Sequence, residues 1–224
     1  MTETRTYDLK DFDVIIATTG VRAIVTTGAP HSVRVEARAA ETLDRLDVSV
    51  SGGRLHIGFA RNFLDFVFNG GLMELLRTGG DFGVTAYVSL PALNGAEASS
   101  GGHIEVSNVQ SDRFRGEASS GGRLALMGVS GADYRLSASS GAEIEIEGAV
   151  TEVDASASSG ARIRAARLSA TRGRLDASSG GNVEVTVTGR VRAIASSGGY
   201  IEVLGSPSER DVNSSSGGNV SIRS

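Results

Sequence analysis

Glu105, Glu145, Glu184 and Glu202 each stand six residues after the first serine of a recurring Ser-Ser-Gly, as does Arg164, and Tyr200 stands four residues after one. Carboxylates gathered with arginine on one exterior face are what a polysaccharide lyase or hydrolase needs. The same residues, alternating in sign along a stack of strands, also make an ordinary surface ion-pair ladder. Other candidate chemistry is thinner. The serines suggest a nucleophile, but seven equivalent copies identify a structural corner. His31, His56 and His103 are scattered without an i, i+4 partner, which fits solvated strand residues better than metal ligands. The positions after the tetrapeptide lack the aspartate that a calcium β-roll repeat requires. A phosphate-binding loop and a dinucleotide fingerprint are both missing, because glycine recurs at corners and not between a strand and a helix. No cofactor and no metal is expected.

What positions the charged column is a repeat. Ser-Ser-Gly begins at Ser99, Ser119, Ser139, Ser158, Ser178, Ser196 and Ser215, at spacings of 20, 20, 19, 20, 18 and 19 residues. Self-similarity near 20 residues is the signature of a solenoid. Alanine precedes the repeat at 98, 118, 138, 157, 177 and 195, with serine at 214. After it come alternating apolar pairs: Ile104/Val106, Leu124/Leu126, Ile144/Ile146, Ile163/Ala165, Val183/Val185, Ile201/Val203 and Val220/Ile222. Period-2 alternation after a glycine turn reads as a strand with one buried face. A leucine-rich repeat would need a recurring asparagine and a return limb, and neither is present. Parallel stacking of the rungs about 4.8 Å apart makes a rod of roughly 30 Å. Serine hydroxyls at the corners are placed to cap backbone groups or to bond to the serines above and below.

Aligning the rungs predicts two outward columns. One is His103, Arg123, Glu143, Arg162, Asn182, Tyr200, Asn219; the other is Glu105, Ala125, Glu145, Arg164, Glu184, Glu202, Ser221. Rung neighbours alternate in sign, except that Glu184 meets Glu202.

Composition bounds the function. The net charge is −4, so there is no basic field for nucleic acid. Of 22 basic residues only Lys10 is a lysine, and cysteine is absent, which excludes disulfides and thiolate chemistry. No apolar run approaches the ~20 residues of a membrane span. The opening MTETRTYDLKDFDV shows no signal peptide, so the cytoplasm stays open as a location.

The chain divides into an irregular β-rich part, residues 1–95, and a regular solenoid, residues 96–224, forming one continuous unit. Phe12, Val14 and Ile16 alternate, as do Val33, Val35 and Ala37, then Val48 and Val50, then Val84, Ala86 and Val88. Residues 37–46 read as a charged loop in preference to a short helix. An apolar insertion at 59–82 carries Phe63, Phe66, Phe68, Leu72, Leu75 and Leu76 around Asn69-Gly70-Gly71, the second piece helical. It reads as a cap on the open solenoid end or as an oligomer interface, with interfacial membrane contact and a ligand pocket as further readings. The final strand leaves an open sheet edge that a second copy could pair with.

The Phe12-Asp13-Val14-Ile15-Ile16 strand, the Leu46–Val50 strand leading to Gly53-Arg54-Leu55-His56-Ile57, and the Ser-Gly rungs from Ser99 to Gly218 together resemble the family of putative auto-transporter adhesins with a head GIN domain, a bacterial domain of unknown function. The resemblance implies a right-handed parallel β-helix-like solenoid in exported or surface-attached proteins, and the general crossover rule agrees on the hand. It carries no catalytic residues. The sequence thus points to a non-catalytic structural or adhesin-like module of the cell envelope, with a surface glycan or protein as partner. A carbohydrate-binding module, or less readily a polysaccharide lyase or hydrolase, would use Glu105, Glu145, Arg164, Glu184, Tyr200 and Glu202.

Overall fold

The protein's structure, a computed structural model, describes residues 2–59 and 83–224. Before the gap come β1 (Glu3–Tyr7), β2 (Val14–Thr18), β3 (Arg22–Thr27), β4 (Ser32–Ala37), α1 (Ala40–Asp44), β5 (Leu46–Ser51) and β6 (Arg54–Phe59). After it come β7 (Thr85–Leu90), β8 (Gly95–Ser99), β9 (His103–Ser107), β10 (Gln110–Ala118), β11 (Arg123–Ala138) and β12 (Glu143–Ala157). The chain closes with β13 (Arg162–Ala177), β14 (Asn182–Ala195), β15 (Tyr200–Leu204), β16 (Glu209–Ser214) and β17 (Asn219–Arg223).

The chain is a β-solenoid of stacked rungs. The strand segments that follow the tetrapeptides pair in parallel as a first ladder, β7–β3–β9–β11–β12–β13–β14–β15–β17. The segments that precede the tetrapeptides pair as a second ladder, β6–β2–β8–β10–β11–β12–β13–β14–β16. Strands β11 to β14 belong to both ladders. The register slips within them, between Leu126 and Val129 for example, where a bulge bends the chain from one side of the rung to the other.

The corner between the ladders is a backbone device. The second serine of every tetrapeptide adopts a left-handed conformation, with φ between 49° and 53°, and Thr19 does the same at 55°. The following glycine then donates to the equivalent serine carbonyl one rung on: Gly101 to Ser120, Gly121 to Ser140 and Gly141 to Ser159, each at 3.1 Å. Gly20 bonds to Ser100 in the same way, so Thr18-Thr19-Gly20 is a further corner of the stack that the tetrapeptide pattern does not display. No hydrogen bond joins the serine hydroxyls of the tetrapeptides to each other or to backbone among the described residues. What runs from rung to rung is main chain, not the expected serine ladder.

One core extends through the rungs. The column Ile104, Leu124, Ile144, Ile163, Val183, Ile201 is fully buried, as the repeat predicts, and Val220 is half-buried at the end. On the second ladder the inward positions are Phe114, Tyr134, Val153, Gly173 and Val191, then Leu136, Ala155, Leu175 and Ala193, and then the alanines before the tetrapeptides. Each rung buries little alone and acquires its core from its neighbours.

The first rungs are also solenoidal. β2 and β3 stack in register beneath β8 and β9, and β6 and β7 stack beneath β2 and β3. β6 and β7 therefore lie where a corner would join them, and the chain leaves the described structure there after Phe59 and returns at Gly83. Beyond this rung the strand direction reverses. β4 pairs antiparallel with β7, β1 with β4, and β5 with β6.

Val14 and Ile16 are half-buried on the outside, whereas Ile15 and Ala17 are fully buried, because β2 aligns Ile15 with Leu55 and Ala96 in the inner column. Val-Ile-Ile-Ala is apolar on both faces and offers no alternation to read. Residues 40–44 form a helix and not a loop; Leu43 is buried against the core, and Arg5 donates to its carbonyl at 3.2 Å. That tie comes from 38 residues away, which no local pattern displays. Phe63, Phe66, Phe68, Leu72, Leu75 and Leu76 lie outside the described residues, so the cap and interface readings of 59–82 do too.

Candidate functional site

The first ladder brings the predicted charged residues into line. Glu105, Ala125, Glu145, Arg164, Glu184 and Glu202 are successive register partners, and Tyr200 stands in the neighbouring outward column between Asn182 and Asn219. Glu105 accepts from Arg22 at 2.7 Å and lies 2.8 Å from Nε2 of His103. Glu145 pairs with Arg167 at 2.9 Å, and Glu202 with Arg223 at 2.9 Å. Arg164 turns to Glu143, which Arg123 also holds at 2.8 Å. Glu184 makes no ion pair among the described residues, although Arg164 is its register partner on one side and Glu202 on the other. The carboxylates of this column are thus spread along a line, at most one per rung, and converge on no point.

The histidines are placed separately. Nε2 of His31 lies 2.9 Å from the Phe12 carbonyl, and its ring meets that of Phe12 edge-on at 4.6 Å. His56 lies 3.9 Å from Asp47, and His103 serves Glu105.

A second charged face, which the alignment after the tetrapeptides did not include, runs along the outside of the second ladder. It is set by the residues six and four positions before each tetrapeptide: Arg113/Arg115, Asp133/Arg135, Glu152/Asp154, Arg172/Arg174, Arg190/Arg192 and Glu209/Asp211. Charged and inward residues alternate strictly there, so the signal was present in the sequence. It lies upstream of the tetrapeptide, where no Gly turn draws attention to it.

Glu152 accepts from Arg172 at 3.1 Å and also from Arg174. On the other side Arg190 pairs with Glu209, and Arg192 lies 3.6 Å from Asp211. These groups and Arg210 line a groove of about 510 Å³ with Gly173 and Val191 at its floor. A second groove, about 330 Å³, lies among Asn94, Arg113, Phe114, Arg115, Asp133 and Arg135. Glu117, hydrogen-bonded to Arg115, holds that guanidinium above its ordinary pKa. Beneath this part of the face, Phe114 and Tyr134 stack at 5.3 Å, and burial pushes the Tyr134 hydroxyl up to about 12.

Parallel rungs, an aliphatic core and charged exterior ladders define a β-solenoid that presents flat sides, not an enclosed cleft. Residues 11–207 match the family described as putative auto-transporter adhesin, head GIN domain, and the chain belongs to that family. Solved structures share the fold. A putative adhesin from Bacteroides fragilis is 16% identical, with a TM-score of 0.79, covering 100% of this chain and 96% of that one. A putative lipid binding protein from Parabacteroides distasonis is 17% identical, with a TM-score of 0.66 and coverage of 100% and 96%. A putative adhesin from Parabacteroides merdae is 13% identical, with a TM-score of 0.62 and coverage of 99% and 95%. No curated protein matches the chain. No helix among the described residues is long and apolar enough to cross a membrane.

Proposed function

We propose that the chain is a non-catalytic module of the bacterial cell surface or envelope, a rigid β-solenoid that engages a surface glycan or protein through its flat exterior. One observation carries this reading. Successive rungs place their charged side chains in straight columns, where Glu143, Glu145, Glu152 and Glu202 pair with arginines of nearby rungs. Acid–base catalysis needs two such groups converging on one bond. A column repeated every ~4.8 Å instead suits an extended partner. Family membership supports the surface location.

A narrower reading, a carbohydrate-binding module using Glu105, Glu145, Arg164, Glu184, Tyr200 and Glu202, draws on Tyr200. Its ring is half-buried and outward, with amides of Asn182 and Asn219 as register partners on either side. An aromatic face flanked by amides is the chemistry that holds a sugar ring.

The test is to incubate the full chain with a panel of neutral and anionic polysaccharides. Retention on the polymer and release of new chain ends are scored in parallel. Retention without cleavage supports a binding module; chain-end release that follows the protein through purification overturns it.

A further inference from the structure

We propose that the outward face of the second ladder binds an anionic polysaccharide, gripping its sulfate or phosphate esters between Arg172/Arg174 and Arg190/Arg192. The inference rests on the non-catalytic binding reading above and adds the face and the ligand class.

The arrangement of arginines is the starting point. Arg172 stands directly opposite Arg190, and Arg174 opposite Arg192, on neighbouring parallel strands. Like charges directly opposite one another destabilise a sheet. The adjoining rungs of this face avoid the problem, pairing Glu152 with Arg172, Asp154 with Arg174, Arg190 with Glu209 and Arg192 with Asp211. The four-arginine grid is therefore not explained by stability of the ladder.

Its carboxylate partners prepare it for an anion. Glu152 draws Arg172 and Arg174 towards one side, while Glu209 and Asp211 hold Arg190 and Arg192 on the other. Each guanidinium has five N–H donors in a rigid fork, and these pairs occupy only part of them. The space between the two rungs is the groove of about 510 Å³. A tetrahedral oxyanion there meets donors from both rungs, already oriented, and bidentate contacts of this kind are the strong ones.

The spacing favours a polymer. A second arginine group, Arg113, Arg115 and Arg135, lines its own groove on β10 and β11, with Arg115 directly opposite Arg135. From the middle of that pair of rungs to the middle of the grid is three rung spacings, about 14 Å. Between them lies the acidic rung of Glu152 and Asp154. A ligand with anions at intervals can touch both groups and step over the acids, whereas a nucleic acid, with its closely spaced phosphates, would meet them. Exposed aromatic platforms for bases are missing from these columns. A membrane surface is disfavoured because Val212, at the edge, is the one exposed large hydrophobic residue among those described.

The experiment uses the full chain and measures affinity for dextran sulfate, neutral dextran, inorganic sulfate and phosphatidylglycerol vesicles. It compares wild type with Arg174→Gln/Arg192→Gln and with Arg123→Gln on the first ladder, each checked for a cooperative melting transition no lower than that of wild type. The expected result is dextran sulfate binding that weakens with salt, falls at least tenfold in the double variant, and is unaltered in Arg123→Gln. The proposal is overturned if the double variant binds like wild type or if Arg123→Gln weakens binding as much. Preference for vesicles, or sulfate alone binding as tightly as the polymer, also overturns it. If wild type retains neutral polymers only, this inference fails while the binding-module reading stands; if it retains none, the glycan-binding reading fails with it.

Discussion

The amide of Ala142 lies 3.1 Å from the carbonyl of Ser139, closing the corner of its rung. Where glycine stands at the same place the bond is shorter: 2.8 Å for Gly102, Gly122, Gly181, Gly199 and Gly218. Ala161, the other alanine at this position, shows 3.0 Å. A Cβ built on Gly181 would overlap the carbonyl of Ala157 on the preceding rung. The two corners that hold a methyl group are thus more open than the glycine ones.

Gly181→Ala is accordingly tolerated. The contact with the Ala157 carbonyl is relieved as at Ala142, and the lost flexibility of the unfolded chain offsets part of the cost. The net change is within about 1 kcal/mol. Gly181→Val asks the same corner for a branched side chain and costs about 1–3 kcal/mol. Denaturant titration of both variants checks this, and equal losses would mean that Ala142 and Ala161 rely on some other local adjustment.

This corner also shows how far the sequence could be read. The tetrapeptide period, the alternating pairs after it and the outward column from Glu105 to Glu202 all appear in place, because each follows from local alternation repeated in register. Thr18-Thr19-Gly20 reads as a turn signal but not as a corner of this stack, because threonine replaces serine and one copy shows no period. The arginine grid was missed for a related reason: Arg172, Arg174, Arg190 and Arg192 look unremarkable in any single rung. Only stacking makes like charges neighbours. The helix at Ala40–Asp44 is tied to Arg5, and no local sequence window holds both.

Ser140 holds a left-handed backbone at φ 53° while its hydroxyl bonds to none of the described residues. A non-glycine residue there carries about 1–2 kcal/mol of strain. Glycine removes it but loses roughly 0.5–1 kcal/mol through greater freedom when unfolded. Ser140→Gly is therefore expected to stabilise the chain by about 0.5 kcal/mol or slightly more. Ser140→Val, β-branched in the same conformation, destabilises it. Thermal melts of the pair should move in opposite directions; a loss in Ser140→Gly would show that the hydroxyl supports the corner.

Tyr134 is fully buried and donates to the Ser130 carbonyl at 3.1 Å, and burial, which disfavours the phenolate, pushes its hydroxyl up to about 12. An unfolded tyrosine ionises near pH 10. The unfolded state therefore loses its proton first, and the stabilisation is whole below pH 10 and declines as pH rises towards 12. The slope approaches about 1.4 kcal/mol per pH unit in that window. Tyr134→Phe loses the hydrogen bond, about 1 kcal/mol at pH 8, but is free of this alkaline penalty. The two melting curves should converge, or cross, between pH 10 and 12. A constant separation across that range would show that Tyr134 ionises alike in both states.

Glu184 faces Glu202 across the first ladder, and Arg164, its other neighbour, is engaged by Glu143. Like charges in this position are unfavourable by roughly 0.2–1 kcal/mol. Glu184→Gln should raise stability by a few tenths of a kcal/mol in low salt, and the gain should shrink as salt screens the repulsion. A destabilised variant would place Glu184 in a working ion pair with Arg164.

At the far end of the second ladder, Arg210 occupies the inner column that holds Tyr134, Val153, Gly173 and Val191 on the rungs before it. Two positions on, Val212 is exposed, and Ser214 replaces the recurrent alanine. Among the described residues β16 and β17 each pair on one side only, which leaves a template for further strands. An inward charge on such an edge opposes addition of another apolar rung, because stacking would bury a guanidinium without a partner. In this structure Arg210 folds back, and its Nε donates to the Pro207 carbonyl at 3.1 Å. Arg210→Val with Ser214→Ala makes the end apolar and should produce concentration-dependent association, read as molar mass by light scattering. Arg210→Lys retains the charge and should behave as wild type. If the apolar double variant associates no more than wild type, the open edge is blunted by something other than Arg210, and the exposed strand β16 and half-buried β17 are themselves too irregular to template a partner.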